Sequence, residues 1–167
     1  MRLIPLSEEH LEPMAEVVHD PDVLRFTRFP DPPEPGFLPR WIQRYQRGAV
    51  DGSCAGFAVV DDDGTFLGVG LAPAIDREGR ELELGYLVAA PARGRGVATW
   101  TVRELTRWAF EEAGALRATL IIDVENVASQ KVAERCGYTL EGVMRSAHHK
   151  NGLRTDQMLW SRLPSDG

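Results

Sequence analysis

The chain is poor in several features that would fix its class at once. Its 167 residues include only two cysteines, Cys54 and Cys136, so no disulfide framework holds it and a reducing, cytoplasmic setting is expected. No apolar run reaches the roughly 18 residues of a membrane span, and the first ten residues lack a signal-peptide core. A basic surplus is also missing: the formal charge is −6, which argues against a general nucleic-acid binder. There is no repeat, low-complexity linker or His/Cys cluster with metal-ligand spacing, so neither a domain boundary nor a metal site is drawn. What remains is an ordinary globular composition, 43% apolar and 26% charged, read as one domain over residues 1–167.

Hydrophobic periodicity divides that domain into elements. Arg2 to Leu6 reads as a strand, and Ser7 as the cap of a helix reaching about His19, with His10 and His19 on its solvent face. Five prolines between Pro30 and Pro39 predict an extended loop over Leu24 to Pro39. A short helix over Arg40 to Arg47, ended by Gly48, should follow. Strands are expected at Gly56 to Val60, Thr65 to Ala72 and Arg80 to Val88, the first two joined by an acidic turn at Asp61-Asp62-Asp63-Gly64. Val97, Thr101, Leu105, Trp108 and Ala109 recur at helical spacing and predict a helix over Gly96 to Ala113, with Gly114 beyond its end. A strand at Leu116 to Asp123, a helix at Val127 to Cys136 capped by Asn126, and a hairpin around Asn151-Gly152 complete the order βααβββαβαββ. That order is a mixed α/β layer with about seven strands.

Chemistry concentrates at Arg93-Gly94-Arg95-Gly96-Val97-Ala98-Thr99, between a strand and the strongest helix. A glycine-rich turn at a helix N-terminus leaves backbone N–H groups pointing outward and suits a phosphate. It is not a P-loop, because the Gly-Lys-Ser/Thr ending is missing. As a dinucleotide fingerprint it has Thr99 in place of the third glycine and lacks an acid at a strand end near the ~20-residue offset. Arg93-x-x-Gly96-x-Ala98 instead resembles the pyrophosphate motif of the Gcn5-related N-acetyltransferases. Glu83-Leu84-Gly85-Tyr86 upstream and Asn126-x-x-Ser129 through Cys136-Gly137-Tyr138 downstream are similar to the branch that acetylates ribosomal-protein N-termini (RimJ/RimL-like).

The resemblance implies an α+β fold whose mixed, mostly antiparallel twisted sheet is flanked by helices. It also implies acetyl-CoA as co-substrate, no metal, a primary amine as acceptor and, frequently in this branch, a homodimer. Donor contacts are then expected from Leu87, Val88, Arg93, Gly94, Arg95, Gly96, Val97, Ala98, Thr99, Asn126 and Ser129, with either arginine reaching a phosphate. Many members carry a tyrosine acid on the helix after Asn126. None lies between Asn126 and Cys136 here, so Ser129 is the candidate hydrogen-bond donor to the sulfur. Tyr138 is expected as core or cofactor wall, and Cys136 as a small buried residue. Glu83 is the candidate base, with Glu81 or water as alternatives. Arg25, Arg28, Phe29, Arg40, Trp41 and Tyr45 are expected to form one wall of an acceptor cleft. A longer donor such as succinyl-CoA and a non-catalytic acyl-CoA sensor are the competing functions.

Overall fold

The computed structural model describes residues 1–166. Seven strands form one sheet: β1 (Arg2–Pro5), β2 (Ala55–Val60), β3 (Phe66–Asp76), β4 (Glu81–Val88), β5 (Arg117–Asp123), β6 (Thr139–Lys150) and β7 (Leu153–Arg162). Their spatial order is β1-β2-β3-β4-β5-β7-β6, and every neighbouring pair is antiparallel except β4 with β5. The crossover that makes this pair parallel carries α4 (Val97–Glu111).

Period-two alternation along β4 decides which side chain meets which layer. Leu82 and Leu84 are buried against α4 and α5 (Val127–Arg135), in a core with Val102, Leu105, Ala109 and Val132. Leu87 faces the opposite layer, built by α1 (Leu11–Val17), α2 (Pro21–Phe26) and α3 (Phe37–Asp51) around Met14, Ile42 and Tyr45. Helix α4 seats on the sheet closely. A Cβ at Gly70 would come within 3.1 Å of Thr101 and Leu105, so the glycine allows that approach.

Three local expectations are corrected. The loop expected over Leu24 to Pro39 starts later, because Pro21 to Phe26 forms α2, capped by Asp20, whose carboxylate accepts from the N–H groups of Asp22 and Val23. The proline at the first helical position costs nothing, since its N–H would be unpaired anyway. Helix α3 begins at Phe37, runs through Gly48 and ends at the left-handed Gly52. Gly48 is there for packing, because a Cβ would lie 2.1 Å from Cys54 Sγ. His10 is buried, 7% exposed, with Nδ1 accepting from the Ser7 N–H at 3.1 Å and its ring 6.2 Å from Phe66. Among the described residues no helix is long and apolar enough to cross a membrane.

Candidate active site

The parallel pairing of β4 and β5 stops at Leu84 and Leu120. Beyond it, β4 continues to Val88 bonded to β3, while β5 continues to Asp123 bonded to β7. The two strands therefore diverge, and the edge of β4 from Gly85 to Val88 faces a gap instead of a neighbour. Backbone groups on such an edge need partners from whatever enters the gap. A cleft of about 1390 Å³ opens here, bounded by Leu87, Val88 and the Arg93–Thr99 turn on one side and by Asn126 and Ser129 on the other.

At the glycine-rich turn, Gly94 and Gly96 adopt left-handed backbone, φ +73° and +79°, and a Cβ at either would meet nothing within 4 Å. The glycines are thus required by conformation. Gly96 caps α4, whose first turn carries no acid. Among the described residues, the N–H groups from Gly94 to Thr99 have no acceptor. Six donors and the positive end of a four-turn helix make an anion site that fits a pyrophosphate.

The two arginines of the turn differ. Arg93 is engaged, pairing with Asp20 at 2.9 Å and Asp22 at 3.3 Å and donating from Nε to the Val88 carbonyl at 3.3 Å. It fastens α2 to the turn. Arg95 is exposed and makes no ion pair with any described residue. At its far side α2 is fastened again, by Arg25 to Glu125 at 3.0 Å and by Lys150 Nζ donating to the carbonyls of Leu24 and Thr27. The segment therefore bridges both banks of the cleft.

On α5, Asn126 caps the helix by accepting from the Ser129 N–H at 3.1 Å, and its amide nitrogen has no partner among the described residues. The Ser129 hydroxyl oxygen accepts from the Tyr86 hydroxyl at 3.0 Å. Burial pushes the Tyr86 phenol up to about 12. Tyr138 is buried with its hydroxyl 2.8 Å from that of Thr106, a core position. Cys136 is buried too, its thiol pushed up by desolvation and its Sγ 3.5 Å from the Thr99 carbonyl. A protonated, buried thiol is a poor nucleophile.

Glu83 and Glu81 share one face of β4 but have different surroundings. Glu81 pairs with Arg117 at 3.2 Å, whereas Glu83 lines the cleft with no hydrogen bond to any described residue. Opposite it stands an aromatic wall: Phe29 packs edge-on to Phe37 and Trp41, and Trp41 to Tyr45, with centroids 4.9–5.3 Å apart. Of the expected wall residues Arg28, Phe29, Arg40, Trp41 and Tyr45 line the cleft, while Arg25 turns to Glu125 and stacks on Phe26.

Sequence reasoning gave no role to two residues of the cleft, Tyr86 and His148. Tyr86 carries no signal of its own beyond the Glu83-Leu84-Gly85-Tyr86 motif. His148 reaches the cleft because β6 bulges between Met144 and His148. Ser146 takes a left-handed φ of +56° there and donates its N–H to Asp156 at 2.7 Å. His148 Nε2 is buried and has no hydrogen-bond partner among the described residues. Desolvation first, then the Arg28 and Lys150 charges, hold its pKa below the usual 6.5 despite Asp123. A bulge leaves no periodic signal, so nothing in the sequence pointed to it.

The comparisons with known proteins name the class of the chain. Residues 1–139 match the family model described as Acetyltransferase (GNAT) domain, and the chain belongs to that family. A Bacillus subtilis (strain 168) relative, "Putative ribosomal N-acetyltransferase YdaF", is 32% identical over 126 residues, 75% of this chain and 66% of its own length. The FsC-acetyl coenzyme A-N(2)-transacetylase of Aspergillus fumigatus is 30% identical over 150 residues, 83% of this chain and 62% of its own. The chain thus spans slightly under two thirds of these relatives. In fold it is similar to RimL, a ribosomal L7/L12 alpha-N-protein acetyltransferase solved in complex with coenzyme A. That match has a TM-score of 0.89 at 20% identity and covers 99% of this chain and 94% of RimL. The Vibrio cholerae spermidine N-acetyltransferase, solved with CoA and spermine, gives 0.86 at 21%, over 99% and 96%.

Proposed function

We propose that the protein is an acetyl-CoA-dependent N-acetyltransferase in which a primary amine attacks the thioester directly while both substrates occupy the cleft. The observation that carries this reading is the free Glu83 carboxylate on the cleft wall, on the strand whose open edge would hold the thioester. A sensor of acyl-CoA needs the glycine-rich turn but has no use for an unpaired carboxylate beside it.

In this reading the Gly94–Thr99 N–H groups bind the pyrophosphate, and the Asn126 amide and the open edge of β4 hold the pantetheine arm. A β4 N–H polarises the thioester carbonyl. The amine nitrogen forms the new C–N bond as the C–S bond breaks, the electron pair leaves on sulfur, and Glu83 or a water takes the ammonium proton. Ser129 donates a hydrogen bond to the departing sulfur. Neutral His148 is a second proton acceptor on the same cleft.

The acceptor class follows from proton cost. Freeing an α-amine of pKa 7.7–8.0 of its proton at pH 7 costs about 1 kcal/mol, and a lysine-type amine near 10.4 costs about 4.6. One exposed carboxylate suits the first. Arg28, which lines the cleft without an ion-pair partner among the described residues, favours an acceptor with an anionic or carbonyl group near its amine, as in a peptide N-terminus. Free-thiol release with acetyl-CoA or succinyl-CoA, across α-amino peptides, aminoglycosides and polyamines, tests the proposal. Release should be fastest with acetyl-CoA and an α-amine; release only with succinyl-CoA would move the donor assignment.

We further read the protein as cytoplasmic and homodimeric. Two buried, unbridged cysteines support the first. The unpaired outer edge of β6, with Leu140 and Val143 exposed, supports pairing of two copies, which light scattering would measure.

A further inference from the structure

A serine hydroxyl carries one proton and two lone pairs, so a donor that occupies one lone pair restricts where the proton goes. Three observations apply this to Ser129. Its oxygen accepts from the Tyr86 hydroxyl at 3.0 Å, with Tyr86 as donor. Its own proton has no acceptor among the described residues. It also forgoes the usual helical alternative, a bond back to the carbonyl one turn earlier. Thr101 and Thr106 on α4 both take that alternative, donating to the carbonyls of Val97 and Val102 at 2.8 and 2.7 Å. Backbone geometry fixes the pair on both sides. Tyr86 shares the face of Leu82 and Leu84 on β4, directed at α5, and the Asn126 cap pins the first turn of that helix.

We propose that Tyr86 is a positioning residue that orients the Ser129 O–H toward the sulfur of coenzyme A, so that the leaving thiolate meets a preset hydrogen-bond donor. This rests on the reading of Ser129 at the sulfur. Tyr86 gives up no proton. Its phenol, pushed up to about 12 by burial, is a weaker acid than a thiol near 8.5, so a tyrosinate would not form in favour of a thiol. The hydrogen bond stabilises charge on sulfur, and the proton of the attacking amine leaves by the separate route through Glu83 or water. The pair supplies for a leaving thiolate what a single tyrosine on the helix would supply, split between β4 and α5.

The test uses coenzyme A itself and needs no acceptor. The thiolate absorbance of bound CoA is titrated in wild type, Y86F, S129A and the double variant, each read against the same protein with desulfo-CoA to remove the protein's own thiols. Wild type should make the bound thiol about tenfold more acidic than free CoA, the scale of one hydrogen bond to a charged group. S129A should abolish this effect, Y86F should remove at least two thirds of it, and the double variant should match S129A. With an accepted amine, Y86F should lower kcat severalfold without raising the KM for acetyl-CoA. A Y86F protein that titrates like wild type while S129A does not overturns the role of Tyr86 and leaves Ser129 standing. A further loss from Y86F in the S129A background shows Tyr86 acting alone and overturns it too. Equal acidity in all four removes Ser129 from the sulfur and this inference with it. If wild type acetylates no amine, the enzymatic reading fails while the titration still decides this one.

Discussion

Replacing Gly96 by alanine separates a phosphate-binding turn from a merely tight one. Gly96 sits at φ +79°, and a Cβ there would meet no atom within 4 Å, so no steric clash complicates the result. The cost is conformational: about 1–2 kcal/mol for an L residue held left-handed, partly offset by about 0.4–1 from the less flexible unfolded chain. The net, roughly 1 kcal/mol, should lower Tm by about 2–4 °C in a chain of this size. CoA affinity should suffer more. If the backbone relaxes toward negative φ, N–H groups that converge on the anion turn away. One lost charge-assisted hydrogen bond, about 1.5–3 kcal/mol, raises Kd roughly 10- to 100-fold. Gly64 is the control, with φ +87° in the β2–β3 turn and equally open space. G64A should show the same small loss of Tm and unchanged CoA binding by calorimetry. A folded G96A protein that binds CoA as wild type does would refute the assignment of the turn.

Three other outcomes are expected. Gly48→Ala drives a Cβ into Cys54 Sγ and should cost about 1–3 kcal/mol in thermal or urea unfolding, with CoA affinity intact. Glu141 is held at about 2, first by its bidentate bond from Arg117 at 2.6 and 2.7 Å and next by the Ser161 hydroxyl. Its folded value lies below its ordinary 4.5, so its stabilisation is present above that value and is lost as pH falls toward about 2. The Tm gap between wild type and E141Q should accordingly close across that range; a gap that persists at pH 2 contradicts the assignment. His148, with its pKa below 6.5, is neutral at pH 7 and gains its charge only in acid. The acceptor KM should therefore rise as pH falls through that region, and H148Q should flatten the rise without changing CoA affinity.

The sequence carried those parts of the molecule in which local signals and tertiary packing agree. Strand alternation placed Leu82 and Leu84 inward and Glu83 opposite, as found on β4. The period of α4 and the Asn151-Gly152 turn are likewise where the pattern put them. Where long-range contacts decide, local signals were overruled. Gly48 read as a helix stop because only the fold brings Cys54 against it. Asp20-Pro21, a cap followed by proline at the first helical position, carries a local start signal for α2, although no helix was expected there. Pairings that cross the chain were not legible: Arg93 with Asp20, Arg25 with Glu125 and Tyr86 with Ser129 lie 43 to 100 residues apart. Of the two candidate bases, only the structure distinguishes Glu81, tied to Arg117, from the unpaired Glu83.

Whether the cleft transfers acetyl groups is tested most directly by one paired measurement on wild type and Glu83→Gln: CoA affinity by calorimetry and amine-dependent thiol release from acetyl-CoA. An enzyme working as described should bind CoA equally well in both forms, with amine-dependent release in wild type and release slowed about 100-fold in the variant, the scale of a general base. Tight CoA binding with no thiol release for any amine would contradict it and leave an acyl-CoA sensor.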